Sequence, residues 1–408
     1  MTNVTPGAPR EAARAVGQGP TTGRLVGLDL ARGLAVLGMY ASHVGPDPPG
    51  GGPVGWAAEM SRGRSSALFA LLAGFTLVIL TGRPEPRTGR AGRQAAGRVL
   101  IRSAVLVVLG GVLTALDTSV NVILAYYGLA LALALPLRRL RSARDLVLVV
   151  ALVAALVLPQ VLYPLRVAAY GGGWADVLAD HDPVAVVSGG DGLLDLLVTG
   201  DYPVLTWLPF IVAGMAVARL DLGRPGVRAR LAGCGGVLTA AGYGGSWLAL
   251  HLVPGALGAV GAATDGGPAG AAWWSDAVGS PGYATPAWLL VAAPHSQTTF
   301  SILGNTGVAL LVLAGCLALV DRSAGLRRLA APVIAVGSVS LTAYAGHIVA
   351  LSAFDLDDQG RSYTGAVALW LCFTATAVLA ALLWTRVFRR GPLEYVLHSV
   401  TLPARLIN

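Results

Sequence analysis

Ten apolar stretches, each of about 17 to 25 residues, are long enough for a helix to cross the roughly 30 Å hydrocarbon core of a bilayer. They lie at residues 25–44, 65–82, 98–116, 120–137, 145–167, 203–220, 231–253, 299–320, 331–353 and 364–387. In lipid, backbone N–H and C=O groups must be satisfied within the chain. The expected fold is therefore all-α, a polytopic membrane helix bundle of about ten transmembrane helices. Composition agrees: 55% of the 408 residues are hydrophobic and only 12% are charged, against about 25% charged in soluble domains. The formal charge of +8 would suggest an anionic partner in a soluble protein. Here it comes from loop arginines, and no nucleic-acid partner is expected.

The connections alternate in sign. One set carries Arg83, Arg87, Arg90 and Arg93, then Arg138, Arg139, Arg141 and Arg144, then Arg224, Arg228 and Arg230, then Arg322, Arg327 and Arg328, and last Arg386, Arg389 and Arg390. The other set carries Asp117, the Asp176–Asp201 group, Asp265 and Asp276, and Asp355, Asp357 and Asp358. The positive-inside rule makes the first set cytoplasmic, with both termini inside and His43 at the outer end of its stretch. Residues 1–23 are polar and rich in Gly, Ala and Pro, with no apolar signal-peptide core, and are expected to be a disordered cytoplasmic tail. Residues 24–390 form the transmembrane domain, and residues 391–408, with Glu394 and His398, an interfacial C-terminal segment. Two outer connections, about 168–202 and 254–298, are long enough to be functional, and Trp273, Trp274 and Trp288 make the second a candidate lid, or else an interfacial aromatic belt. Cys234, Cys316 and Cys372 have no metal-like spacing, and no metal is expected.

The first stretch carries Asp29, Arg32 and His43 inside an otherwise apolar run. At 100° per residue, Arg32 and His43 are separated by three turns plus 20°, and Asp29 projects from the same side. Charges at mid-bilayer cost about 2.5 to 3.5 kcal/mol each, so the stripe is expected to face protein or a water-filled path joining the two sides. Acyl transfer from a thioester needs a base for the acceptor proton, and His43 suits that role because imidazole titrates near neutrality. Arg32 and Asp29 would balance charge in the path, or else form a buried ion pair that fixes packing.

In the ninth stretch Ser340, Tyr344 and His347 share a helical face, which would let His347 approach His43 or serve as interhelical glue. In the eighth, Thr298, Ser301 and Asn305 line one face below His295, a pattern that fits acceptor binding or ordinary helix packing. Arg62 and Arg64 stand at the mouth of the second stretch. Arg98 and Arg102, four residues apart at the cytoplasmic start of the third, are candidates to hold the phosphates of a CoA donor.

Several segments together carry a family resemblance: Leu28-Asp-Leu-Ala-Arg-Gly33, Gly63-Arg-Ser-Ser-Ala-Leu-Phe-Ala-Leu-Leu-Ala-Gly74, Tyr202–Met215, Pro294-His-Ser-Gln-Thr298 onward to Asn305, Ser340-Leu-Thr-Ala-Tyr344 and Gly391-Pro-Leu-Glu394. In order and spacing the chain resembles the YeiB-type family of bacterial membrane proteins, related to the lysosomal heparan-glucosaminide N-acetyltransferase and to the membrane acyltransferases that O-acylate sugars. The resemblance implies a multi-pass protein of the bacterial cytoplasmic membrane. It also implies acetyl-CoA as co-substrate, entering from the cytoplasm, and an extracytoplasmic or membrane-embedded acceptor such as an amino sugar. Arg32 followed eleven residues later by His43 matches the sugar O-acyltransferase pattern. The lysosomal enzyme instead has Asn at the position of His43 and its functional His in the next outer loop, where residues 44–63 here contain none. On this reading His43, Arg32, Asp29 and His347 are catalytic, His295, Asn305, Tyr344 and Arg64 bind substrate, and Arg98 and Arg102 bind the donor. A transporter and a non-catalytic envelope assembly factor are the competing classes, and a homo-oligomer is compatible with any of them.

Overall fold

The computed structural model describes residues 26–46, 52–83, 85–171, 173–182, 184–185, 192–264, 267–279, 284–357 and 360–408. The expected tail at 1–23 lies outside them. The principal helices are α1 (Val26–Val44), α2 (Gly52–Ser61), α3 (Arg64–Thr81), α4 (Gly89–Thr114), α5 (Leu124–Ala134), α6 (Ala143–Val157), α7 (Val204–Ala218), α8 (Pro225–Thr239), α9 (Thr299–Arg322), α10 (Ala331–Ser338), α11 (Ser340–Ala353), α12 (Tyr363–Val387) and α13 (Pro392–Val400). The protein is an all-α polytopic membrane protein. Every apolar stretch named above is helical over most of its length. Among the described residues, four helices qualify as membrane crossings by length and composition, or up to seven when each sharply bent pair counts as one.

Helix starts follow from local chemistry. The Thr298 hydroxyl accepts from the Ser301 N–H at the start of α9, and Ser362 caps α12 through the Gly365 N–H, each satisfying a donor that the helix itself leaves free. The ninth stretch departs from expectation. It is two helices, α10 and α11, bent by 82° where they meet. The bend falls at Val339, at φ −122° and ψ 33°, two residues after Gly337, which is a local helix weakener but gives no measure of so sharp an angle.

α1 runs through the centre of the bundle, packed against α3, α9 and α10. Close approach to α10 depends on glycine: a Cβ on Gly337 would sit 1.7 Å from the Asp29 carbonyl oxygen, and one on Gly33 2.0 Å from that of Val333. Small residues at crossing points let membrane helices meet backbone to backbone, where packing replaces the hydrophobic drive. α12 lies at the periphery, with only 11% of its apolar window buried.

Hydrogen bonds sort the connections by charge. At one end Arg219 donates to the carbonyls of Gly82, Arg138 and Leu140, and Arg83 donates to that of Leu220. At the other, Arg62 pairs with Asp276 at 3.5 Å, Asp357 accepts from Ser119, and Gln297 holds the carbonyls of Gly200 and Asp201. Arginine-rich and aspartate-rich loops thus gather at opposite ends of the molecule.

The C-terminal segment has a role that its sequence did not suggest. Glu394 Oε1 accepts from the Leu341 and Thr342 N–H groups at 2.7 and 3.3 Å, and Oε2 accepts from the Thr342 hydroxyl at 2.6 Å. A carboxylate from α13 therefore caps α11 just past the bend, where free N–H groups and the helix dipole favour negative charge. Gln94 in α4 fastens the tail end by donating to the carbonyls of Arg405 and Ile407. Glu394→Ala is expected to cost about 2 kcal/mol through the lost charged acceptor, seen as a lower thermal midpoint in detergent. Glu394→Gln, which keeps one acceptor oxygen, should recover part of the loss. An Ala variant as stable as the parent would remove the cap from this account.

Candidate functional site

A polar cavity of about 450 Å³ opens at the aspartate-rich end. α1 contributes Ser42 and His43, the α2–α3 turn Arg62 and Gly63, and the following helix Ser66. Asp201 and Tyr202 enter ahead of α7, Asp276 and His295 come from the long connection before α9, and Asp357 and Arg361 lie between α11 and α12. Distant parts of the chain therefore meet at one mouth.

His43 is the centre of this arrangement. Its Nδ1 lies 2.9 Å from His347 Nε2, and the rings are nearly parallel with centroids 5.1 Å apart. His347 Nδ1 contacts the Tyr344 carbonyl. A carbonyl only accepts, so this nitrogen carries the hydrogen, and in a neutral ring His347 Nε2 is then the acceptor. His43 Nδ1 must therefore donate. That leaves His43 Nε2 without a hydrogen, on a side chain that lines the polar cavity. The bond pattern assigns the tautomers of both rings. Tyr40 supports the pair: its hydroxyl donates to the Ala343 carbonyl at 2.7 Å, and its ring packs 4.8 Å from that of His347.

The segment Pro294–Thr298 forms a strap over the site. His295 and Gln297 both have positive φ, 59° and 57°, a conformation that costs energy for residues with a Cβ and persists where surroundings enforce it. The enforcement is visible at Gln297. Its Oε1 accepts from Arg166 and from the Thr206 hydroxyl, and its Nε2 donates to the Gly200 and Asp201 carbonyls at 3.0 and 3.2 Å. The His295 ring is thereby held edge-on to Tyr202 at 5.1 Å. Sequence reasoning named His295 but missed Gln297, Asp201 and Asp276. Three successive polar residues, His295-Ser-Gln297, directly after the apolar run Ala287–Pro294 were the available signal.

The other residues named from sequence divide into groups. Asp29 is buried and pairs with Arg32 at 3.1 Å, and Arg32 also donates to the Thr76 hydroxyl at 2.8 Å. Arg32 and Arg102 line a second cavity of about 210 Å³ with Thr76, Ser338, Ser340 and Glu394; Arg98, one turn before Arg102, does not. Arg64 is buried away from the polar cavity. It donates to the Trp274 carbonyl at 2.6 Å and lies 5.0 Å from the centre of the Tyr243 ring, so it pins the long connection onto α3. Tyr344 is buried, with its hydroxyl accepting from the Ile123 N–H at 3.2 Å. Asn305 bonds Tyr243 and Ser301 beneath the strap.

The expected continuous path along α1 is replaced by two separate cavities. Arg32 and His43 are eleven residues apart, about 16 Å of helix rise, and among the described residues the two cavities share no lining side chain. Between them the Tyr127 hydroxyl donates to the Ser66 carbonyl at 2.7 Å, with its ring stacked on Phe69 at 5.5 Å. This layer is assembled from α3 and α5, which the spacing within one helix could not reveal.

Residues 24–235, just over half of the chain, match the family model described as heparan-alpha-glucosaminide N-acetyltransferase, catalytic. Residues 269–404 match the model described as protein of unknown function (DUF418). No curated protein matches the chain. The polar cavity takes His43, Arg62 and Asp201 from the first matched segment, and Asp276, His295 and Asp357 from the second.

Proposed function

Since the chain belongs to the heparan-alpha-glucosaminide N-acetyltransferase catalytic family, we propose that it transfers an acyl group, in the first instance acetyl, from cytoplasmic acyl-CoA to an amine or hydroxyl acceptor in the polar cavity. The acceptor is extracytoplasmic or membrane-embedded, an amino sugar or glycan being the chemical type. The positive-inside rule puts the arginine-rich end in the cytoplasm and the polar cavity on the far side. The observation that carries the proposal is the 2.9 Å contact of His43 Nδ1 with His347 Nε2 at the wall of the polar cavity, from which His43 Nε2 is read as the base.

His43 Nε2 takes the proton of the acceptor as the acceptor atom bonds to the thioester carbonyl carbon. The imidazolium so formed donates through Nδ1 to His347, whose own hydrogen rests on the Tyr344 carbonyl. Arg62 and Asn121, both lining the cavity, are the N–H donors for the tetrahedral oxyanion. Collapse breaks the C–S bond, and the departing thiolate takes the proton from His43. At the cytoplasmic end Arg32 and Arg102 receive the donor's phosphates. The donor arm reaches His43 when the Phe69–Tyr127 layer opens, which makes that layer the gate between the cavities.

Purified protein mixed with acetyl-CoA and glucosamine should release free thiol and N-acetylglucosamine in equal amounts. Counterflow of glucosamine through vesicles without CoA, and no thiol release, would instead favour a carrier.

A further inference from the structure

Between α11 and α12 lies a groove of about 420 Å³, and among the described residues no Asp, Glu or Arg side chain lines it. Ala343, Gly346 and Ala350 form one wall, and Cys372, Ala377, Ala380 and Trp384 the other. Facing small residues ordinarily bring membrane helices together, but here they leave space. From Cys372 to Trp384 the groove runs about 18 Å along α12, more than half the hydrocarbon thickness. Its floor includes Tyr40 and His347, the back of the histidine relay, and it shares Leu356 with the polar cavity. It shares no lining residue with the Arg32 cavity among the described residues.

We propose that this groove holds the hydrocarbon chain of a lipid-borne acceptor, whose polar head reaches over Leu356 into the cavity of His43. The inference rests on the acyl-transfer reading and specifies its acceptor. The chain is assigned to the acceptor and not to the acyl donor because the groove joins the acceptor's cavity and not the one lined by Arg32 and Arg102. The opening beside peripheral α12 gives lateral access from the bilayer, and an apolar occupant gains about 25 cal/mol per Å² buried only where the alternative is water. Fit to the groove and attachment of the head therefore decide specificity over bulk lipid.

Two native cysteines provide the test. Cys372 lines the groove and is exposed, and Cys234 is exposed on α8. In phosphatidylcholine nanodiscs, N-ethylmaleimide modification of each is followed by mass spectrometry with no addition, with glucosamine, or with dodecyl glucosaminide. The twelve-carbon amphiphile is expected to slow modification of Cys372 at least fivefold and leave Cys234 unchanged, while glucosamine protects neither. Gly346→Leu should abolish that protection, since a Cβ there meets nothing within 4 Å and the longer side chain fills the groove. Equal slowing at both cysteines means bulk lipid contact only and overturns the proposal, as does unprotected Cys372. Acyl transfer is measured on the same samples. Protection without transfer to either acceptor keeps the groove and sinks the acyl-transfer reading; transfer with equal KM for both acceptors, and no protection, does the reverse.

Discussion

His43→Ala is expected to lower the rate of acetyl transfer by about 10² to 10⁴-fold, the range for loss of a positioned general base, with little change in stability. His43 is a partly exposed residue at the end of α1, and its loss leaves His347 still bonded to the Tyr344 carbonyl. His347→Ala should cost less, about 10- to 100-fold, because His43 keeps its Nε2 but loses the partner that sets its tautomer and steadies the imidazolium. The order matters more than either number. If His347→Ala were the more damaging in activity while remaining folded, His347 and not His43 would be the proton acceptor. Rates of thiol release at saturating acetyl-CoA, with circular dichroism to confirm folding, make the comparison.

Arg32→Ala is expected to destabilise the protein by about 3 kcal/mol. Removing one member of a buried ion pair costs about 3 to 5 kcal/mol because the other is left charged. Asp29 is 4% exposed, but the Arg32 side chain retains 23% exposure to its cavity, which puts the loss at the lower end. The double variant Asp29→Asn, Arg32→Leu should regain most of that stability, since neither replacement leaves an unpaired charge in the bundle. It should not regain donor affinity: KM for acetyl-CoA is expected to stay at least tenfold raised. Recovery of both would make the pair a packing device alone, the other reading the sequence allowed. Thermal unfolding in detergent and initial-rate kinetics separate the two roles.

Much of the architecture was legible because membrane helices announce themselves in composition. Arg219 bridging three arginine-rich connections, and Arg62 meeting Asp276 at the opposite end, realise in space the sign alternation of the loops. The approach of His347 to His43 was legible as well, since each sits on a definable helical face. The rest depended on tertiary structure. The bend at Val339 has only Gly337 as a local signal, and the carboxylate that caps the resulting helix arrives from Glu394, more than fifty residues later. Gln297 acquires its importance from the Gly200–Asp201 carbonyls and Arg166, none of them near it in sequence. Arg64 was expected in the substrate mouth; in space the chain turns at Gly63, φ 64°, so that Arg62 lines the cavity and Arg64 is turned beneath the long connection. The single path imagined along α1 failed for a related reason: helical periodicity orders residues around one axis but does not show that Tyr127, from another helix, closes the space between them.

The most direct test is the protonation pattern of His43 itself. In protein labelled with ¹⁵N-histidine, with His43→Gln and His347→Gln used to assign the signals, nitrogen chemical shifts at neutral pH distinguish bare from hydrogen-bearing ring nitrogens. The relay requires a bare Nε2 and an N–H at Nδ1 of His43, with the N–H of His347 also at Nδ1. A hydrogen on His43 Nε2, with Nδ1 accepting from His347, would leave no base facing the polar cavity and would contradict the mechanism.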